Sequence, residues 1–420
     1  MSPLTARQAE RRLVLLTVTR WLPVGLVFGL TVLLPLERGV GLAEVGVILA
    51  VQGFVVLALE VPTGGFADTV GRRPVLLAAG VIAVVSSIVF VLAEGFWMFA
   101  LAMLLQGFFR VLDSGPLEAW FVDAAHADDP AHPVERGLSR AGTALGVSIA
   151  LGAAAGGGLV AWHPLAGWSP LVLPFLVSTG AMLVHLVLTA VLVREDVRIR
   201  TATTAVGMRD TVVGGFAELA RSRVLRGLVL VEVFWVVAMI AFEVVTPARL
   251  TELVGTEAAA AALFGPASAA AWALFAAGSA VAGVASARIG VAVTAILARL
   301  LNGAFVIVMG LVAGPVGLLA AYGAAYAFHG SAGPMHNALL HRQATSSNRA
   351  VVLSLNSMVA GGMSSVALLV LGPLAEATST SLAFVLAGAF SLLGALFYLP
   401  ALRAERGGRL RPGRDIRDPS

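Results

Sequence analysis

"GGFADTVGRR", residues 64–73, places Asp68, Arg72 and Arg73 in one short turn between two long apolar runs. The chain around it avoids charge. Of 420 residues, 58% are hydrophobic and 12% charged, whereas an ordinary soluble domain is about 25% charged. Mean hydropathy is +0.91. Apolar stretches of about 20 residues suffice to cross a hydrocarbon core roughly 30 Å thick, and such stretches follow one another on both sides of the turn. The composition therefore points to an all-α polytopic membrane protein.

Segmentation outward from this turn, at charge clusters and Gly/Pro breaks, yields twelve apolar spans. They cover approximately 12–36, 43–66, 74–93, 97–122, 138–161, 170–193, 224–247, 263–286, 292–313, 315–340, 350–372 and 381–402. The first run, Leu13 to Leu36, exceeds the 7–15 residue core of a signal peptide and is read as a retained span. Twelve spans put both termini on one side. Every basic residue is Arg, and short Arg-rich loops stay cytoplasmic. Arg7, Arg11, Arg12, Arg72, Arg73, Arg136 and Arg140, the segment 194–223 and the tail all fall on the same face, so both termini are expected in the cytoplasm of a plasma (inner) membrane protein. The expected organisation is a six-helix bundle over 1–193, a cytoplasmic central loop over 194–223, a second six-helix bundle over 224–402 and a basic tail over 403–420. An amphipathic surface helix is expected near Met208 to Arg221.

The same composition excludes several functions. Without Lys there is no Walker A loop and no Schiff base; without Cys there is no disulfide, thiolate nucleophile or thiolate metal site. The Arg residues are dispersed rather than gathered in an aromatic-rich patch, which argues against nucleic acid as a partner. No pair of His or carboxylates has a tight ligand spacing, so no metal is expected.

The halves echo each other. Gly64 and Gly71 recur 219 residues on as Gly283 and Gly290, with Ala287 at the position of Asp68, and "SGPLEAW" at 114–120 is matched 218 residues on by "AGPMHNA", pairing Glu118 with His336. Internal repeats of this kind build many secondary transporters.

The loop Gly64, Asp68, Gly71, Arg72, Arg73 resembles the signature G-x-x-x-D-x-x-G-R-R/K of the major facilitator superfamily, and the likeness extends over essentially the whole chain. The runs "EVPTG" at 60–64 and "SGPLEAWFVD" at 114–123 resemble those of its bacterial drug and metabolite exporters. The chain departs from the pattern at Thr69, where Arg is usual, and in span five, which reads "GAAAGGG" without the exporter Gly-Pro; Gly152 and Gly156 there fit close helix packing. The resemblance implies two pseudo-symmetric bundles, alternating access, a monomer, a proton gradient as energy source with no cofactor, and efflux of a drug-like compound or metabolite. It also implies a gating contact: Asp68 against the cytoplasmic end of span eleven, and Arg72 or Arg73 paired with Asp123. Two alternatives stay open, proton-coupled uptake of a nutrient and a transport-inactive sensor or partner-binding protein on the same fold.

Ionisable residues inside spans cost about 2.5–3.5 kcal/mol each on insertion scales and mark mechanism by default. Span one offers Arg20, span two Glu60, and span four Arg110, Asp113 and Glu118. Arg110 and Asp113 are three apart and share a face, and Gly115 and Pro116 should kink the helix just beyond. In span seven, Glu232 and Glu243 lie close to three full turns apart, with Met239 nearly in line and Trp235 to one side. This spacing predicts an acidic wall suited to a lipophilic cation or a polar organic molecule. In span ten, His329 and His336 share a face beside Asn337, a pattern suited either to a proton relay or to helix packing. His185, Asn302 and Asn356 are further polar groups within spans, read first as packing hydrogen bonds.

Overall fold

The computed structural model describes residues 4–63, 70–130, 132–194, 219, 221–343 and 349–408, without the side chains of 60–63 and 349–351. Gly64 and Asp68, most of the central loop with its expected surface helix, and the tail beyond 408 lie outside the described residues.

The described chain is helical and contains no strand. Its helices are α1 (Ala6–Leu26), α2 (Leu30–Glu37), α3 (Leu42–Thr63), α4 (Arg72–Leu92), α5 (Phe96–Asp113), α6 (Pro116–Asp128), α7 (Val134–Trp162), α8 (Val172–Leu192), α9 (Arg223–Ile240), α10 (Thr246–Val254), α11 (Glu257–Ile289), α12 (Val291–Leu311), α13 (Pro315–Gln343), α14 (Arg349–Ala377), α15 (Thr380–Gly394) and α16 (Leu399–Arg406). Eleven helical stretches among the described residues are long and apolar enough to cross a membrane. The remaining expected span, 315–340, forms the 29-residue α13, whose polarity reflects His329, His336, Asn337, His341 and Arg342.

Four spans are interrupted among the described residues, the twelfth by a 3-10 turn over Ala395–Tyr398 between α15 and α16, and local sequence accounts for the other three. In the first, α1 stops at Leu26 and α2 starts after Gly29, which holds a left-handed φ of 78°. In the fourth, the expected kink is a full interruption: Ser114 and Gly115 leave the helix and α6 restarts with Pro116 at its first position, where a missing N–H costs nothing. In the seventh, a π turn over Ala241–Val245 separates α9 from α10. Pro247 cannot donate to the carbonyl of Glu243 four residues back, and the wider turn absorbs that lost bond.

The chain divides into two compact units. Unit 1 comprises Met1–Ala205, Glu243–Trp272 and Leu368–Thr380; unit 2 comprises Val206–Phe242, Ala273–Ala367 and Ser381–Ser420. In unit 1, α1 and α7 approach backbone to backbone: a Cβ on Gly152 would meet the Leu22 carbonyl, and one on Gly156 the Leu26 carbonyl. The small residues of "GAAAGGG" thus serve close packing, where van der Waals contact replaces the hydrophobic effect that lipid does not supply. In unit 2, Leu225, Leu228, Leu339, Leu340 and Tyr398 are fully buried in the main apolar cluster.

The repeat read from the sequence has a backbone counterpart. Gly71 before α4 has φ 105°, ψ 145°, and Gly290 before α12 has φ 91°, ψ 155°. Only glycine enters that region without strain. The ion pairs beside these turns are reversed in sign. In unit 1, Arg72 pairs with Asp123. In unit 2, the residue at the same 219 spacing from Asp123 is Arg342, and it pairs at 2.8 Å with Glu405 of α16. Glu405 also accepts from the N–H groups of Val291 (3.2 Å) and Ala292 (2.9 Å), placing its charge at the positive N-terminus of α12.

Candidate functional site

Residues of unit 1 line an open-sided cavity of about 280 Å³. Two of the helix breaks supply part of its wall, Val27 to Gly29 after α1 and Glu243 with Val244 in the π turn. Broken helices free backbone groups, and in a membrane they are tolerated where they line such a space. Arg20, Gln52, Gln106 and Arg110 contribute polar groups, and Trp21, Phe90, Phe175, Met103 and Met182 contribute flat and thioether surface.

Arg20 is 8% exposed. Its Nε donates to Asp113 Oδ2 at 2.6 Å, and its Cζ lies 4.1 Å from the ring centroid of Phe109 and 4.9 Å from that of Trp21. Asp113, expected on one face with Arg110, is thereby tied to the first span. The Arg20 Nη1 is buried without a hydrogen-bond partner. An unpaired buried donor costs roughly 1–3 kcal/mol, less when aromatic faces screen it. Nearby, His185 Nδ1 meets Thr19 Oγ1 at 2.8 Å, a packing hydrogen bond. Glu118 is exposed in the first turn of α6, and the side chain of Glu60 lies outside the described residues.

Unit 2 holds a separate polar network around Glu232, which is 4% exposed. Glu232 Oε1 accepts from Asn356 Nδ2 at 3.1 Å and lies 3.0 Å from His336 Nε2, while Oε2 accepts from Trp235 Nε1. His336 Nδ1 meets the Tyr398 hydroxyl at 2.8 Å. The His329 ring stacks on Trp235 with centroids 4.9 Å apart, so both histidines of α13 face the Glu232–Trp235 wall. Met239 is half-buried on the same helix, whereas Asn337 is exposed. Asn302 donates to the Ala325 carbonyl at 2.8 Å, a bond between α12 and α13.

The two carboxylates of the predicted acidic wall fall in different units. Glu232 belongs to the unit 2 network and Glu243 to the unit 1 cavity.

Arg299 of α12 did not enter the sequence reading. It is 2% exposed, its Cζ stands 4.1 Å from the Trp235 ring centroid, and its charge acts on Glu232 and on the Tyr398 hydroxyl. A buried carboxylate requires a counter-charge, and Arg299 supplies a permanent one. The signal was an Arg near the centre of an otherwise apolar span, "AILARLLNGA" at 295–304, hidden among arginines that mark topology.

In the opening turn, Arg73 Nη2 donates to the Ala190 carbonyl at 2.8 Å beside the Arg72–Asp123 pair.

A profile of the Major Facilitator Superfamily matches residues 13–327. No curated protein sequence matches the chain. Among solved structures, the nucleoside transporter NupG superposes with a TM-score of 0.74 at 11% identity, covering 94% of this chain and 99% of that one. A bacterial homologue of the human lysosomal transporter Spinster, in an inward-facing and occupied conformation, superposes with a TM-score of 0.74 at 15% identity, covering 98% and 100%. At these identities the likeness is one of fold. The profile spans the signature loop, both broken spans of the first half and the Glu232–Arg299 wall, and on that match the chain belongs to the Major Facilitator Superfamily.

Proposed function

We propose that this transporter is a proton-coupled secondary carrier of the plasma membrane, with cytoplasmic termini, that exports a small organic molecule by alternating access. Members of its superfamily carry small molecules across membranes, and the fold is that of such carriers. The coupling reading rests on one observation: Glu232, almost fully buried in a membrane-spanning helix, meets a titratable partner, His336, at 3.0 Å and a fixed cation, Arg299, in the same unit. A carboxylate with both partners can trade its proton against its ion pair as the surroundings rearrange. Asp113 is held by Arg20 and feels His185 electrostatically, without a hydrogen bond to it, and Glu118 is exposed. The export direction rests on the resemblance to drug and metabolite exporters.

The test is flux in proteoliposomes. Glu232→Gln is expected to abolish movement driven by an imposed pH gradient while substrate exchange at equal pH persists. Wild-type gradient-driven flux in this variant would remove Glu232 from coupling. Accumulation inside cells lacking their own pumps should fall on expression, and a rise would turn the direction to uptake. Absence of flux for every compound that binds would favour a transport-inactive sensor.

A further inference from the structure

We propose that the proton taken up at the Glu232 site is carried on Nδ1 of His336, and that Tyr398 is a positioning residue whose hydroxyl serves both states of that imidazole. The proposal deepens the coupling reading by naming the atom that holds the proton, and rests on it only for the proton's part in transport.

Glu232 is ringed by donors. Trp235 Nε1, which can only donate, meets Oε2, and Asn356 Nδ2 donates to Oε1 at 3.1 Å. With its nitrogen given to Glu232, the Asn356 amide turns Oδ1 to His336 Nε2 at 3.2 Å, and Glu232 Oε1 lies 3.0 Å from the same nitrogen. Two acceptors converge on Nε2, so it carries a hydrogen. Glu232 then faces three N–H groups and no acceptor for an O–H of its own, which makes it a carboxylate in this arrangement. The one lone pair left on neutral His336 is at Nδ1, which accepts from the Tyr398 hydroxyl at 2.8 Å.

That hydroxyl is the group of the network able to reverse its role. A phenol both donates and accepts, whereas Trp235 and Arg299 only donate. When a proton binds Nδ1, an N–H bond forms at the lone pair and the hydrogen bond from Tyr398 breaks. The Tyr398 O–H rotates about its C–O bond, and its oxygen accepts from the new N–H. The Glu232–His336 pair passes from one net negative charge to neutral. Around the imidazole stand Glu232 of α9 as counter-charge, Arg299 of α12 as a fixed like charge acting on Glu232 and Tyr398, the neutral Asn356 of α14 and, along its own helix, His329 stacked on Trp235. His336 and Tyr398 are both buried, so bulk water does not stand in for the hydroxyl.

NMR of the isotope-labelled full-length protein reads the site directly. Met335-His336 is the single Met-His pair in the sequence, so a labelled Met carbonyl with labelled His nitrogens assigns His336 without a variant. At alkaline pH Nε2 should carry hydrogen and Nδ1 none; on acidification Nδ1 should gain one while Nε2 keeps its own. Tyr398→Phe takes a donor from the neutral ring and an acceptor from the charged one, and the charged form loses more. Half-titration of Nδ1 should then need about tenfold more protons, one pH unit, and the pH profile of gradient-driven flux should move with it. A purely structural role would lower flux without moving either midpoint. The wild-type titration decides alone should that variant fail to fold.

An Nδ1 that stays bare down to the pH of acid unfolding overturns the proposal. So does hydrogen on Nδ1 already at the alkaline end, or an unmoved midpoint in folded Tyr398→Phe. Flux keeps the two readings apart. An Nδ1 that titrates as expected in a protein moving no compound under a pH gradient upholds the proton site and removes its part in transport. Gradient-driven flux that is lost in Glu232→Gln while Nδ1 stays bare overturns the His336 site and leaves coupling with Glu232.

Discussion

Arg299 holds a permanent charge near the centre of α12 at 2% exposure, and its Nε and Nη1 have no hydrogen-bond partner. Such a residue persists because Glu232 balances its charge and the Trp235 face covers its guanidinium. Removing one member of a buried pair leaves the other uncompensated, so Arg299→Gln should lower stability by about 3 kcal/mol. Thermal unfolding of the purified protein checks this, and a change below about 1 kcal/mol would mean that Glu232 is neutral in the folded state. Glu232 itself was legible in the sequence, as a carboxylate deep in a span, and so were His329 and His336 through their seven-residue spacing. Their partners were not. Asn356 and Tyr398 lie on α14 and on the turn before α16, and nothing local in either stretch records which helix it will face.

At the scale of elements, packing and breaks divide the work. The α1–α7 contact depends on glycine because main-chain atoms of one helix occupy the space where the other's Cβ would stand. Gly156→Ala should therefore destabilise by about 1–3 kcal/mol, as overpacking does. Gly158, two residues on in the same helix, has nothing within 4 Å of the corresponding position. Gly158→Ala should be neutral or stabilising by up to about 1 kcal/mol through helix propensity alone. Equal effects of the two, read as shifts in unfolding midpoint, would dismiss the close approach. Hydropathy located the spans but not their interruptions. Gly115-Pro116 announced a disturbance in span four, and the structure turned it into a full restart. The π turn in span seven carried no comparable signal, because a single Pro after it is equally compatible with a continuous helix start.

For the whole molecule, the opening turn is proposed to act as a conformational latch. Arg72 pairs with Asp123, which is 68% exposed on its side chain, so the pair itself should contribute no more than about 1 kcal/mol to stability. The latch reading, taken from the family resemblance, expects a different balance: Asp68→Asn and Arg72→Gln should each slow transport about tenfold or more, a barrier change of roughly 1.4 kcal/mol, with substrate affinity retained. Transport at the wild-type rate in both variants would reduce the turn to a topology marker. The sequence by itself determined the class of the protein, its spans, the internal repeat with its two special glycines and the signature loop, because these depend on composition, local backbone demands and periodicity along one chain. Only the tertiary structure decided that Arg20 answers Asp113, that Arg299 answers Glu232, and that two carboxylates of one span serve different units. Charge partners in a membrane protein are chosen by which helices pack together, and that choice is made by close small-residue contacts and helix breaks far from the charges in sequence.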